Sequence, residues 1–86
     1  MRLFLAKIFD RDYEKLPRII QKQCDRQLLT LLKNPHHPSL RTSKVQGFNN
    51  IWEGRITKEC RFTFQIVKDV YLIRRVGKHN HILKKP

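Results

Sequence analysis

The sequence is poor in acidic residues: 7 Asp and Glu stand against 19 Lys and Arg, so the 86-residue chain has a formal net charge of +12. With only two cysteines, it has no disulfide framework pattern, and a reduced, cytoplasmic protein is expected. The longest apolar runs, such as LLTLL at 28–32, fall far short of the roughly 20 residues that span a bilayer. We expect no membrane association, but we do expect a polyanion or an acidic protein as partner.

Metal-binding patterns are also missing. The residues that could in principle bind zinc are Cys24, Cys60, His36, His37, His79 and His81. They show no Cys-x₂-Cys or His-Glu-x-x-His spacing, and both cysteines lie on faces predicted to point inward, where a small apolar side chain suffices. His36 and His37 are interpreted as loop residues that could meet RNA. We therefore expect no metal and no other cofactor.

The apolar pattern predicts one α+β domain over residues 1–86, in the order β-α-α-β-β-β. Predicted strands cover 2–6, 51–57, 60–67 and 70–76, predicted helices cover 9–16 and 17–33, and a loop covers 33–50. Asp10 is placed to cap the first helix, and Pro17 is placed to end it and to open the second. This order predicts a small antiparallel meander with two helices on one face, which leaves the other face open for binding.

The second predicted helix has two different faces. Its apolar stripe consists of Ile20, Cys24, Leu28, Leu31 and Leu32. On another face Arg18, Lys22 and Arg26 repeat at four-residue spacing. This basic row is interpreted as a solvated flank, with contact to a phosphate backbone as the alternative.

The bend TKE at 57–59 determines which side chains face the open side of the sheet. A two-residue turn would place Arg55 on the same face as Phe62, whereas a three-residue turn pairs Arg55 with Arg61. The three-residue turn alone separates apolar from charged side chains, because a one-residue slip exchanges the two faces. It points Trp52, Gly54, Ile56, Cys60, Phe62 and Phe64 inward, and Glu53, Arg55, Arg61 and Thr63 outward. We predict that Glu53, Arg55 and Arg61 cluster on the open face.

The last strand, VYLIRRV, mixes apolar and basic residues on both faces, so its register stays open. Because side chains alternate along a strand, Arg74 and Arg75 are expected to point to opposite faces. One of them is expected to join the phosphate-binding surface.

An ordered set of short strings is similar to the RelE/ParE superfamily of bacterial toxins from toxin–antitoxin pairs. The most specific strings are NPHHPSLR, then WEGRI, then an arginine that opens the next strand, then VGKH. The resemblance implies a small antiparallel sheet backed by helices and a cognate antitoxin that is often acidic where it binds the toxin. Many members of the superfamily cleave messenger RNA on the ribosome without a metal, with the RNA's own 2′-hydroxyl as nucleophile. The ParE branch poisons DNA gyrase instead.

The resemblance also implies roles for particular residues. Arg61 corresponds to the arginine that contacts the scissile phosphate, and Glu53 and Arg55 match charged active-site positions on the preceding strand. His79 stands where the nucleases have an arginine or a histidine. Because histidine titrates near neutral pH, His79 and His81 are both candidate acids, and either a histidine or Glu53 could act as base.

Near its end the sequence departs from the nuclease pattern, because Leu83 or Lys85 stands where an aromatic residue is common. Three functions therefore stay open: a ribosome-dependent endoribonuclease, a gyrase poison, and a basic RNA-binding module without catalysis. Further basic side chains are expected to attract RNA through phosphate contacts that read no sequence. These are Lys44, Arg74, Arg75, Lys78, Lys84 and Lys85.

Overall fold

The computed structural model describes residues 1–86, and its elements follow the predicted order with two short additions. The strands are β1 (Arg2–Leu5), β2 (Ser43–Lys44), β3 (Trp52–Arg55), β4 (Cys60–Val67) and β5 (Val70–Lys78), and the helices are α1 (Lys7–Glu14), α2 (Arg18–Lys33) and α3 (His79–Ile82). The added strand is β2, inside the predicted loop, and the added α-helix is α3, after the last predicted strand; the loop also contains a short 3₁₀ turn, Pro38–Leu40. No helix combines the length and the apolar character needed to cross a bilayer.

The five strands form one sheet in the order β1-β5-β4-β3-β2. Strands β3, β4 and β5 form the predicted antiparallel meander, and the α+β class is confirmed. At the edge, however, β1 pairs with β5 in parallel, from Arg2 opposite Val70 to Leu5 opposite Ile73. The sheet is therefore mixed, which a meander pattern alone does not predict, because β1 and β5 are joined by most of the chain and not by a hairpin.

The main core lies between the helices and one face of the sheet. Its members come from α1, α2, β4 and β5, together with Leu40 of the loop and Ile56 of the bend after β3; they are Phe9, Cys24, Leu28, Leu31, Leu40, Ile56, Cys60, Phe62, Phe64, Tyr71, Ile73 and Val76. The predicted stripe of α2 is confirmed, with Ile20 and Leu32 partly buried at its margins. Trp52 packs against this core as predicted, although it is only half-buried.

The start of α1 differs from the prediction. The helix begins at Lys7 with Ala6 at its N-cap, so Asp10 lies in the first turn and does not cap it. The reason lies in the sheet: the Ala6 N–H donates to the Ile73 carbonyl (2.9 Å), so the chain turns into the helix directly after its last sheet bond. Pro17 occupies the N-cap of α2, where its carbonyl accepts from the N–H groups of Ile20 and Gln21.

The three-residue bend between β3 and β4 is confirmed. Arg55 lies opposite Arg61 and Gly54 opposite Phe62, and the Ile56 N–H donates to the Cys60 carbonyl at 2.9 Å. The Phe62 ring covers Gly54 in the space that a Cβ would fill. This packing requires glycine at position 54 and fixes the alternation that turns Glu53 and Arg55 to the other face.

On the helix-free face, the prediction that Arg74 and Arg75 point to opposite sides is wrong. A β-bulge shifts the register, so that Thr63 lies opposite Arg75 but Phe64 lies opposite Ile73, which leaves Arg74 as the extra residue. Both arginines reach the same C-terminal tail (residues 83–86). Arg74 Nε donates to the backbone oxygen of Pro86 (3.0 Å), and Arg75 Nη1 donates to that of Lys85 (3.1 Å).

The tail also changes the expectation of an open face. Thr63, predicted to point outward, is fully buried, and its hydroxyl donates to the backbone oxygen of Pro86 at 3.4 Å. Pro86 itself is buried. Part of the face without helices is therefore covered by the chain's own tail, and the charged part lies beside it, at the β3–β4 bend.

Candidate functional site

The β3–β4 bend and the start of α3 are held together by backbone bonds. The His79 N–H donates to the Glu59 carbonyl (2.8 Å), and the Cys60 N–H donates to the Thr57 hydroxyl (3.1 Å). Lys78, the last residue of β5, lies opposite Cys60, the first of β4. The side chains of the bend, of β4 and of α3 are thereby brought to one place, although they are far apart in the sequence.

Arg61 is fixed against the bend by its own side chain. Its Nη1 donates to the carbonyl oxygens of Thr57, Lys58 (2.7 Å) and Cys60 (3.3 Å). Its Nη2 makes no hydrogen bond, and its Nε faces Glu53. The guanidinium is therefore anchored on one side and has donors left on the other, which suits a residue that must hold an anion in a defined position.

Glu53 stands between Arg61 and His79. Its Oε1 lies 3.8 Å from Arg61 Nε and 3.6 Å from His79 Nε2. These distances are longer than hydrogen bonds, so the contacts are electrostatic. The side chains of Glu53 and Arg61 are 14% and 18% exposed, whereas that of His79 is 44% exposed. The carboxylate and the guanidinium are thus shielded, and the imidazole is open to solvent.

This cluster borders a groove of about 490 Å³ that no hydrophobic residue lines. We call it the site groove; its lining residues are Lys58, Glu59, Arg61, Lys78, His79, Asn80, His81 and Lys84. Four cationic side chains and two histidines face one carboxylate in this lining, so the groove attracts anions. Lys58, Glu59 and Asn80 were not predicted as site residues. The signal for Lys58 and Glu59 was their position in the TKE bend, between Arg55 and Arg61, and the signal for Asn80 was its position between His79 and His81.

The structure brings some of the predicted site residues together and places others elsewhere. Glu53, Arg61 and His79 meet, and His81, Lys78 and Lys84 line the same groove. Arg55 lies opposite Arg61 in the strand pair but lines a separate groove beside α2. Lys44 lies over the Trp52 ring, 5.4 Å from its centroid. Lys85 joins Arg74 and Arg75 at the tail.

No aromatic side chain lines the site groove. Tyr71 is buried in the core, and Tyr13 on α1 donates its hydroxyl to Asp25 Oδ1 (2.8 Å). That hydrogen bond, with burial and the negative charge of Asp25, raises the pKa of Tyr13 to about 12. The departure seen at the end of the sequence is therefore not compensated by a tyrosine from elsewhere in the fold.

The two thiols, Cys24 and Cys60, are buried, and neither lines the site groove. Burial raises the pKa of the Cys60 thiol, and the positive charge of its neighbour Arg61 partly offsets this. Cys24 has no such neighbour, and burial together with the charge of Asp25 raises its pKa to about 12. No three side chains of His, Cys, Asp or Glu are grouped so that they could hold a metal ion.

Comparison with known proteins identifies the fold. No protein-family model and no curated protein matches the sequence. Among solved structures, a YoeB/ParE toxin from Agrobacterium tumefaciens superposes with a TM-score of 0.78 over 92% of this chain and 99% of that one, at 18% identity. This chain has the RelE/ParE toxin fold.

Two complexes contain chains with the same fold. The RelB–RelE antitoxin–toxin complex from Methanococcus jannaschii matches with a TM-score of 0.76, 21% identity and coverage of 94% of this chain and 95% of that one. The intact Escherichia coli RelBE complex matches with a TM-score of 0.70 and 19% identity, and the match covers 88% of this chain and 93% of that one. At such identities the likeness establishes the RelE/ParE fold, and the roles predicted for Glu53, Arg61 and His79 stay predictions.

Proposed function

We propose that this chain is the toxin of a type II toxin–antitoxin pair and that it cleaves messenger RNA on the ribosome. The observation that carries the proposal is the position of Glu53 Oε1, 3.8 Å from Arg61 Nε and 3.6 Å from His79 Nε2, beside a wholly polar groove. A base, a phosphate-binding cation and an acid are the groups that phosphodiester cleavage needs. The net charge of +12 supports a polyanionic substrate, and the structures with this fold are described as toxins.

Each side chain of the cluster has a role in the proposed reaction. The Glu53 carboxylate takes the proton of the 2′-hydroxyl as the 2′ oxygen attacks phosphorus, and the bond from phosphorus to the 5′ oxygen breaks. Arg61 donates to the non-bridging oxygens, where negative charge grows. Protonated His79 gives its proton to the leaving 5′ oxygen, with His81 in the same groove as the second candidate acid. The products are a 2′,3′-cyclic phosphate and a free 5′-hydroxyl.

We also propose an acidic antitoxin as partner. Two of the structures with this fold are complexes of a toxin with its antitoxin. A chain with 19 basic and 7 acidic residues is complementary to an acidic one. A short acidic protein that copurifies with this chain and suppresses its activity would meet the expectation.

Cleavage of a messenger on programmed ribosomes tests the proposed function. We expect discrete cuts with the wild-type chain and a rate lower by about 10²–10⁴ for Glu53→Gln, which keeps the shape of the side chain but removes the base. Lys22→Gln is the matched control, because it changes an exposed residue of α2 that lines neither polar groove. Intact message after incubation with folded wild-type protein overturns the nuclease.

Poisoning of DNA gyrase is the second candidate function. It is favoured by the lack of an aromatic side chain in the site groove. Inhibited supercoiling together with intact message would select it. RNA binding that weakens steeply with salt, with neither cleavage nor gyrase inhibition, would instead select a basic binding module.

A further inference from the structure

A second polar groove lies on the other side of Arg55, between α2 and the end of β3. Its volume is about 420 Å³, and its lining residues are Gln23, Arg26, Gln27, Thr30, His37, Ser39, Arg55 and Ile56. We call it the α2 groove. Two arginines and a histidine line it and no carboxylate does, so it attracts anions as the site groove does.

The walls of the α2 groove are joined by one buried side chain. Gln27 Nε2 donates to the carbonyl oxygens of Arg55 (2.8 Å) and Ser39 (3.2 Å). The bond to Arg55 is needed because β2 pairs only with Trp52 and Glu53, so the edge of β3 beyond them has no strand partner. Gln27 is 9% exposed. The groove is therefore a fixed feature that connects α2, the short turn at 38–40 and β3.

Several groups in the α2 groove have no partner within the chain. The guanidinium groups of Arg26 and Arg55 make neither hydrogen bonds nor ion pairs. Gln23 Oε1 is buried from solvent and accepts no hydrogen bond. An unpaired buried acceptor is unfavourable, so a bound donor would be favourable there. Because Gln23 and Arg26 are three residues apart, they lie on the same face of α2.

These groups match the chemistry of a nucleotide. Guanidinium groups bind a phosphate, and a buried amide oxygen accepts from an N–H on the edge of a base. The α2 groove adjoins the site groove at one strand pair, since Arg55 lies opposite Arg61. We propose that the α2 groove binds one nucleotide of single-stranded RNA that flanks the cleaved bond. Arg26 and Arg55 hold its phosphate, and Gln23 Oε1 accepts from its base.

This inference rests on the proposed function for its ligand, RNA, but its test needs no cleavage. The probe is a fluorescent cytidine hexanucleotide with 2′-O-methyl riboses, which lacks the attacking hydroxyl, and the measurement is its anisotropy over a range of salt concentrations. Arg26→Gln should weaken binding roughly tenfold and reduce the slope of log affinity against log salt by about 0.7, as expected for one lost phosphate contact on a single strand. Arg18→Gln removes the same charge from an exposed position of α2 outside the groove, and it should change neither the affinity nor the salt slope.

A second variant tests the base contact. Gln23→Met keeps the length of the side chain but removes the acceptor, so we expect roughly fivefold weaker binding with an unchanged salt slope. Gln46→Met, in an exposed loop position, is its control. Equal effects of Arg26→Gln and Arg18→Gln, with circular dichroism showing both folded, overturn the α2 groove as a subsite even if cleavage is found. If Arg26→Gln weakens RNA binding and Arg18→Gln does not, but no message is cleaved on ribosomes, the α2 groove stands as an RNA subsite and the proposed nuclease activity is overturned.

Discussion

Five arginines of this chain form two groups that differ in what they bind. At the tail, Arg75 donates to both oxygens of Asp12 (2.8 and 3.2 Å) and to the backbone of Lys85. Arg74 donates to Gln65 (2.7 Å) and to Pro86. In the two polar grooves, by contrast, Arg26 and Arg55 have no partner, and Arg61 keeps one side of its guanidinium free.

The difference shows why a high positive charge does not by itself locate a binding site. Arg74 donates through two of its guanidinium nitrogens and Arg75 through all three, so each must lose internal bonds before it can bind a phosphate with those groups. We therefore expect Arg74 and Arg75 to have a structural role, although the sequence suggested one of them as a ligand for RNA. Residues with free donors, in grooves where cations outnumber carboxylates, are the better candidates.

Exchanging arginine for lysine in each group gives the largest expected contrast. Arg61→Lys keeps a positive charge but loses the planar fork that both anchors the bend and faces the phosphate. We expect message cleavage to fall by about 10²–10³, as for removal of one transition-state donor. The same exchange at Arg75 should leave the cleavage rate of the folded protein nearly unchanged. Equal losses of activity at both positions would contradict the division into two groups.

The effects on stability should follow the opposite order, with the larger loss at Arg75. In Arg75→Gln the Asp12 carboxylate, 12% exposed, keeps only the Val76 N–H as a donor (3.2 Å). We expect urea denaturation to show a free energy of unfolding lower by about 1.5–3 kcal/mol, the range for hydrogen bonds to charged groups. Arg11→Gln, in an exposed position of α1 without an ion pair, is the control and should change little.

The pH dependence of the stability that the Arg75–Asp12 pair contributes follows from the pKa of Arg75. Its hydrogen bonds to Asp12 raise its pKa above the usual arginine value, against a smaller opposing effect of burial. A cation whose pKa is raised on folding stabilises the protein fully below its unfolded pKa and loses that effect only at higher pH. The difference between wild type and Arg75→Gln should therefore be the same at neutral and moderately alkaline pH. If the difference in free energy of unfolding disappears at moderately alkaline pH, the Arg75–Asp12 pair is not its source.

The sequence predicted the parts of the fold that depend on local alternation. The register of β3 and β4 was predictable, because the wrong turn length would have buried an arginine next to Phe62. The extent of α2 was predictable from its apolar stripe. The parallel pairing of β1 with β5 was not, since it joins residues about 70 positions apart and leaves no local pattern.

The candidate site could be predicted only in part for the same reason. The cluster of Glu53 with Arg61 follows from adjacent strands, and His79 was placed by the family resemblance. The bulge that turns Arg74 and Arg75 to one face depends on how β4 and β5 pair, and the bond between Asp12 and Arg75 joins residues 63 positions apart. Alternation along a single strand predicts neither the bulge nor this bond.

The smallest expected effect uses the thiols as reporters of the charge on Arg61. The pKa of Cys60 is raised by burial but lowered by Arg61, whereas the pKa of Cys24 is about 12. Since the thiolate is the reactive form, alkylation of the native protein at about pH 9 should modify Cys60 faster than Cys24. Arg61→Gln should raise the pKa of Cys60 further and slow its alkylation, whereas Lys58→Gln, a nearby exposed cation, should not.

Peptide mass spectrometry after timed alkylation gives both rates in one sample, with Cys24 as the internal reference for global opening. Slower alkylation of Cys60 with unchanged alkylation of Cys24 means that the charge of Arg61 lowers the pKa of Cys60 in the folded protein, as the position of Arg61 against the bend requires. Faster alkylation of both thiols would show that Arg61→Gln opens the β3–β4 bend. Arg61 would then belong with Arg75 among the structural arginines, and the loss of cleavage in Arg61→Lys would lose its catalytic interpretation.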